Sequence, residues 1–158
     1  MKKVLVAYFS ATGTTKALAE TLAKEVKGDV FEIVPETPYS SADLNWQNSQ
    51  SRSSLEMKDR SARPAIRTQV ADMAAYDTVF LGFPIWWYRE PSIIDTFLEA
   101  YDFSGKTVVL FATSGGSGLG DSANNLQALA PGAKVVNGKR FSAGVAGKEL
   151  AAWAKAWL

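Results

Sequence analysis

The sequence predicts an α/β protein of three layers: a five-stranded parallel sheet in strand order 2-1-3-4-5 between two layers of helices. Three observations predict it. The apolar runs Val4–Phe9, Thr78–Phe83 and Thr107–Ala112 are uninterrupted and rich in β-branched and aromatic residues, as strands buried on both faces are. Stretches with helical spacing lie between them. The length, 158 residues, suits one domain that buries roughly 68–70% of its unfolded surface without staples.

Each element has its own justification. Val4–Phe9 follows Met1-Lys2-Lys3, but six apolar residues ending in a turn cluster fall short of a signal-peptide core, so the run reads as a strand. Leu18, Leu22 and Val26 recur every fourth residue and predict the first helix, with Gly28 as its C-terminal stop. Val30–Val34 is a weaker second strand. After Thr78–Phe83, Pro91 suits the first turn of a helix whose apolar face is Ile94, Phe97, Leu98 and Tyr101, with Gly105 beyond. Asp121 is placed to cap a helix carrying Leu126 and Leu129. Ala133–Val136 is the last strand, and Leu150, Trp153, Ala154 and Trp157 mark a terminal amphipathic helix. Right-handed crossovers turn this alternation into a parallel sheet. Residues 1–158 form one domain on this reading. The stretch 35–66, rich in Ser, Asn and charge, breaks the rhythm as a polar insertion, either solvated or a lid. Trp46, Leu55 and Met57 are its candidate anchors, and a short helix is expected after Asp43.

Composition narrows the chemistry. Lys and Arg number 17 against 16 Asp and Glu, so the net charge of +1 carries no footprint for nucleic acid. There is no Cys and no His, which excludes disulfides, Cys-based zinc sites, a cysteine nucleophile and a Ser-His-Asp triad. No metal site and no catalytic side chain are expected. Redox chemistry in such a chain comes from an organic cofactor. No segment is long enough to span a membrane, and the expected compartment is the cytoplasm.

Ligands of this sheet type bind beyond the carboxyl ends of the strands, near the switch point, which directs attention to three loops. The first is Ser10-Ala11-Thr12-Gly13-Thr14-Thr15, running straight into a helix. Its four hydroxyls and the amides of a helix N-terminus make an anion site, and Gly13 permits a tight turn. Taken alone, the segment is also an ordinary strand-to-helix turn. Neither a phosphate loop of the G-x-x-x-x-G-K-[ST] type nor a G-x-G-x-x-G fingerprint is present. The second loop is Pro84-Ile85-Trp86-Trp87-Tyr88-Arg89-Glu90-Pro91. Consecutive residues of an extended segment point to opposite sides, so at least one of its three aromatics reaches the cleft. A planar aromatic beside a phosphate site suits a flat, stacked ligand. The third loop, Thr113 to Asp121, is small and Gly-rich, so its backbone can meet the polar edge of a planar ligand; alone it reads as a flexible connection.

Together, Ser10–Thr15, Gly82-Phe83-Pro84-Ile85-Trp86-Trp87 and Thr113-Ser114-Gly115-Gly116 resemble the flavodoxin family, specifically a short-chain, flavodoxin-like branch. The resemblance covers nearly the whole chain and is least in 35–66. It implies that FMN is the cofactor. Ser10, Ala11, Thr12, Gly13, Thr14 and Thr15 would hold its phosphate. Trp86, Trp87 or Tyr88, flanked by Pro84 and Ile85, would stack on or border the isoalloxazine. Thr113, Ser114, Gly115 and Gly116 would bind its pyrimidine edge. The partner would be a redox protein or a small quinone-like acceptor, and the oligomeric state stays open.

Three departures separate this chain from the family's electron carriers. Its charge is near zero where carriers are strongly acidic. Residues 114–121 hold no aromatic, which leaves one flavin face open. No Gly lies between Pro84 and Pro91, where a left-handed backbone would suit one. These favour an NAD(P)H-dependent FMN or quinone reductase as the alternative to a one-electron carrier. Arg89 and Arg52 are candidate cations beside flavin N1, where positive charge favours hydride chemistry. A phosphoreceiver domain lacks its acidic cluster here, since the strand ends read Tyr8-Phe9-Ser10 and Phe83-Pro84. A flavin-less interaction module remains the second alternative, although such a module has no need of an anion nest.

Overall fold

The structure, a computed structural model, describes residues 3–87, 89–113, 118–142 and 144–158. Five strands, Val4–Tyr8 (β1), Asp29–Glu32 (β2), Thr78–Pro84 (β3), Thr107–Thr113 (β4) and Lys134–Phe141 (β5), pair in parallel in the order β2-β1-β3-β4-β5. Among the described residues five α-helices accompany them: Thr14–Val26 (α1), Arg52–Lys58 (α2), Ser92–Ala100 (α3), Ser122–Leu129 (α4) and, after the last strand, Gly147–Ala154 (α5). The layering follows from strand alternation. Leu5, Ala7 and Phe9 face one side with Ile93, Ile94 and Phe97 of α3 and Leu126 of α4. Val6 and Tyr8 face the other with Leu18 and Leu22 of α1 and Leu150 of α5. Among the described residues no helix is long and apolar enough to cross a membrane.

Local chemistry departs from expectation at several points. The left-handed residue ending α1 is Lys27, at φ 56°, not Gly28. Gly28 is needed for close approach instead, because a Cβ there would stand 2.9 Å from the Val4 carbonyl oxygen. Asp121 occupies the N-cap of α4, yet its side chain makes no capping bond. Pro91 sits at the N-cap of α3, one residue before the first turn.

The last strand runs to Phe141, five residues beyond the apolar run that announces it. Asn137, Gly138, Lys139 and Arg140 hide it, since an edge strand carries polar residues. Its register against β4 shifts between Val109 and Phe111, and a Cβ on Gly138 would lie 2.0 Å from the Leu110 carbonyl oxygen. Glycine is therefore required at this irregularity.

The polar stretch 35–66 leaves and re-enters the body at one place. Pro35 and Ile66 form an antiparallel bridge, Glu36 N–H donates to the Ala65 carbonyl at 2.8 Å, and Arg67 N–H donates to the Val34 carbonyl at 2.7 Å. Its helix is α2, beginning at Arg52 rather than just after Asp43, with Ser51 Oγ accepting from Ser54 N–H at its start. Of the expected anchors only Met57 is buried. Trp46 is 69% exposed and Leu55 48% exposed, so both face solvent. The anchoring falls largely to charged side chains of the stretch itself, Arg52 with Glu56 and Arg63 with Asp95 and Glu99.

Candidate functional site

The carboxyl ends of β1, β3 and β4 bring the three loops to one edge of the sheet. The first leaves β1 through buried Phe9, whose N–H donates to the Gly82 carbonyl at 3.0 Å. Gly13 then takes φ 96°, and its N–H donates to Ser10 Oγ at 3.0 Å. A Cβ on Gly13 would touch nothing within 4 Å, so glycine is demanded by the backbone angle and not by space. Gly13 is the N-cap of α1, and no side chain caps the helix. No acidic residue occupies its first turn. Among the described residues nothing compensates the positive end of the helix dipole and its free amides, and the exposed side chains of Thr12 and Thr14 lie beside them.

Thr15 is used differently. It is buried, and its hydroxyl pairs with that of Thr113 at 2.7 Å, across 98 residues of sequence. This bond staples the start of α1 to the end of β4. Thr113 is itself buried and spends its hydroxyl here. Ser114, Gly115 and Gly116, expected at the pyrimidine edge, lie outside the described residues.

In the second loop, Ile85 N–H donates to the Thr113 carbonyl at 3.3 Å, which joins second and third loops at their roots. Trp86 and Arg89 then exchange backbone bonds, with Trp86 N–H to Arg89 O at 3.1 Å and Arg89 N–H to Trp86 O at 3.2 Å. Within this tight turn Trp87 adopts φ 48°. The lack of glycine between Pro84 and Pro91 therefore does not prevent a left-handed backbone; a bulky residue carries it, at a cost of about 1–3 kcal/mol. Trp86 and Trp87 part company. Trp86 is half-buried in a ring cluster, with centroids 5.7 Å from Phe9 and 5.5 Å from Tyr39, both edge-on. Trp87 is 44% exposed and presents its indole outward. Tyr88 lies outside the described residues.

The two candidate cations are already engaged. Arg52 lies 3.9 Å over the Tyr39 ring, pairs with Glu56 at 2.9 Å and donates to the Thr37 carbonyl at 2.6 Å. Arg89 is 5% exposed, 3.4 Å from Glu90 and 3.6 Å from Asp95. Neither side chain is a free cation waiting for a flavin. They organise the protein around the loop instead.

Residues that the sequence did not single out complete this surround. Tyr39 donates its phenol to Glu56 Oε1 at 2.5 Å, and burial, then that hydrogen bond, holds the phenol far above its ordinary pKa. Glu90 is fully buried, with Asn125 Nδ2 donating to Oε1 at 3.1 Å. Asp95 is pushed up to about 8, first by burial and then by the hydrogen bond to and charge of Glu90, against the pull of Arg89 and Arg63. Among the described residues its Oδ1 has no hydrogen-bond partner, and burial beside Glu90 favours its protonated form.

With the loops in place, the relatives can be named. A family model described as flavodoxin matches residues 3–157. The chain belongs to the flavodoxin family. The crystal structure of a candidate flavoprotein from Bacteroides eggerthii is 48% identical, covers 99% of this chain and 98% of its own, and superposes with a TM-score of 0.92. A second candidate flavoprotein, from Bacteroides uniformis, is 45% identical over 98% of both chains, with a TM-score of 0.91. A flavoprotein from Lactobacillus acidophilus, solved in complex with FMN, shares the fold at 24% identity and a TM-score of 0.72, covering 98% of this chain and 99% of that one. No curated protein matches. In this flavodoxin the second loop is bordered by buried Arg89, Glu90 and Asp95, with half-buried Asn125 bonded to Glu90.

Proposed function

We propose that this flavodoxin binds FMN at the carboxyl edge of its sheet and serves as an oxidoreductase or electron-transfer protein whose redox chemistry the flavin supplies. The observation that carries the reading is the uncapped start of α1. Gly13 at φ 96°, the exposed Thr12 and Thr14 hydroxyls and the absence of first-turn carboxylates suit a dianionic phosphate. Exposed Trp87, on the neighbouring loop, suits the face of a flat ring. The Lactobacillus acidophilus relative with FMN supports the choice of ligand.

The residues divide the work. Backbone amides at the start of α1, with Ser10, Thr12, Gly13 and Thr14, hold the phosphate. Thr15 holds the loop in place through Thr113. Trp87 covers one ring face, and Trp86 supports the turn from below through Phe9 and Tyr39. Bound FMN supplies electron or hydride transfer, and no protein side chain is needed as acid or base.

A second reading, a two-electron reductase of quinone-like acceptors, is favoured by the near-zero net charge, which gives no long-range steering toward a charged redox protein. Titrating FMN into the protein while following tryptophan fluorescence tests the shared core of both readings. Saturable quenching at micromolar FMN is expected, and no quenching would overturn it.

A further inference from the structure

We propose that Glu90 is a positioning residue. Its carboxylate ties the Trp86–Arg89 turn, the 35–66 excursion and the start of α4 into one unit, and so sets where Trp87 stands against the flavin. The second half of this statement rests on the FMN reading; the first does not.

Glu90 is 0% exposed, and a carboxylate is kept in such a place only when it is paired and hydrogen-bonded. Both oxygens are used. Oε1 accepts from Asn125 Nδ2, in α4, at 3.1 Å, and Oε2 lies 3.4 Å from an Arg89 amino group. From each partner the chain of contacts continues into the excursion. Asn125 Oδ1 accepts from Arg60 at 2.6 Å. Arg89 donates to the Met57 carbonyl at 3.4 Å and to Ser92 Oγ at 3.2 Å, and Ser92 Oγ donates to the Glu56 carbonyl at 3.2 Å. A second strut runs alongside: Asp95 of α3 faces Arg89 at 3.6 Å and Arg63 at 3.8 Å, and Arg63 binds Glu99 at 2.5 Å. The excursion has few apolar anchors, with Trp46 and Leu55 exposed, so these polar ties hold it down.

The location of the tie gives it a purpose. Glu90 immediately follows the turn that holds Trp87 in the left-handed region without a glycine. Such a conformation persists only where its surroundings over-determine it. Arg89 and Glu90 do so at the exit of the turn, just as Trp86 does at its entry. An apolar residue of similar volume would serve stability at least as well as a buried charge pair. What the carboxylate adds is one defined geometry among three segments.

The test is hydrogen exchange on the ligand-free wild type and on Glu90→Gln, with FMN titration and the absorption spectrum of bound flavin in parallel. A glutamine accepts through one oxygen only and turns an NH2 toward Arg89 or Asn125. Amides of the Trp86–Arg89 turn, of residues 52–63 and of residues 122–126 should lose protection together. The Kd for FMN should rise on the order of tenfold, as removal of an outer-layer partner does elsewhere, and the flavin band should shift. Asn125→Ala, at the edge of the network, should reproduce the pattern to a smaller extent and carries the test if Glu90→Gln does not fold. Loss of protection confined to the turn, or wild-type affinity and spectrum in both variants, would overturn the proposal. If the wild type takes up no FMN, the functional reading falls, and the exchange pattern alone decides the tie: joint loss upholds it, local loss ends it.

Discussion

The first and second loops stand on the same edge of one sheet and are built by opposite means. The Ser10–Thr15 loop is open. Its shape comes from a glycine at φ 96° and one local hydrogen bond, with Ala11 packed against the core and Thr15 buried in it. The Trp86–Arg89 turn is held from outside. It has a tryptophan at φ 48° where a glycine would be easier, and it is gripped by Phe9, Tyr39, Glu90, Asp95 and the excursion. Backbone freedom suffices to expose amides to an anion. Holding a large aromatic outward against its backbone preference requires a surround.

Substitutions at each loop should separate the two constructions. The largest effect belongs to the second. Arg89→Ala removes the cation beside the fully buried Glu90 carboxylate and should cost about 3–5 kcal/mol in urea denaturation. Part of this network should respond to pH without any mutation. Asp95 rises from 3.8 to about 8 on folding, so the folded state binds its proton more tightly. Its stabilising contribution is complete below pH 3.8 and is lost as pH rises to about 8. Wild-type stability should fall across that window, and Asp95→Asn should remove the slope.

Thr15→Val breaks the one deep tie of the first loop. It leaves the Thr113 hydroxyl unpaired, at a cost of about 1–3 kcal/mol, and adding Thr113→Val should recover part of the loss. Gly13→Ala meets no atom, so its cost should be the backbone penalty alone, about 1–2 kcal/mol, with weaker FMN uptake. The smallest stability effect, and the most telling, is Trp87→Gly. Relief of the left-handed angle should leave stability unchanged or raise it by up to about 1 kcal/mol. FMN binding should weaken nonetheless, by roughly 1–3 kcal/mol if the indole stacks on the ring. Denaturation and titration of the same variant would then move in opposite directions.

The contrast also explains what could be read without coordinates. Val4–Phe9, Thr78–Phe83 and Thr107–Ala112 announce themselves because strands buried on both faces must be apolar throughout. The first loop is legible because a glycine among hydroxyls before a helix has a direct backbone meaning. The second is not, because Glu90 and Asp95 look like any surface carboxylates until the fold buries them. Tyr39 was hidden in the same way: nothing local marks a tyrosine that will brace a tryptophan 47 residues later. Arg52 and Arg89 are legible as cations, but their engagement is not, since their partners range from the adjacent Glu90 to Met57, 32 residues away. Trp87 at φ 48° contradicts its local preference, and such conflicts between local and global structure cluster where a fold is put to use.

The most direct measurement of the central claim compares FMN with riboflavin by isothermal titration calorimetry. The two ligands share the ring that Trp87 is poised to cover and differ only in the phosphate that the start of α1 is shaped to receive. Saturable binding of FMN with riboflavin weaker by at least about tenfold, the worth of one or more charge-assisted hydrogen bonds, is the predicted result. Equal affinity for the two, or no binding of FMN, would contradict it.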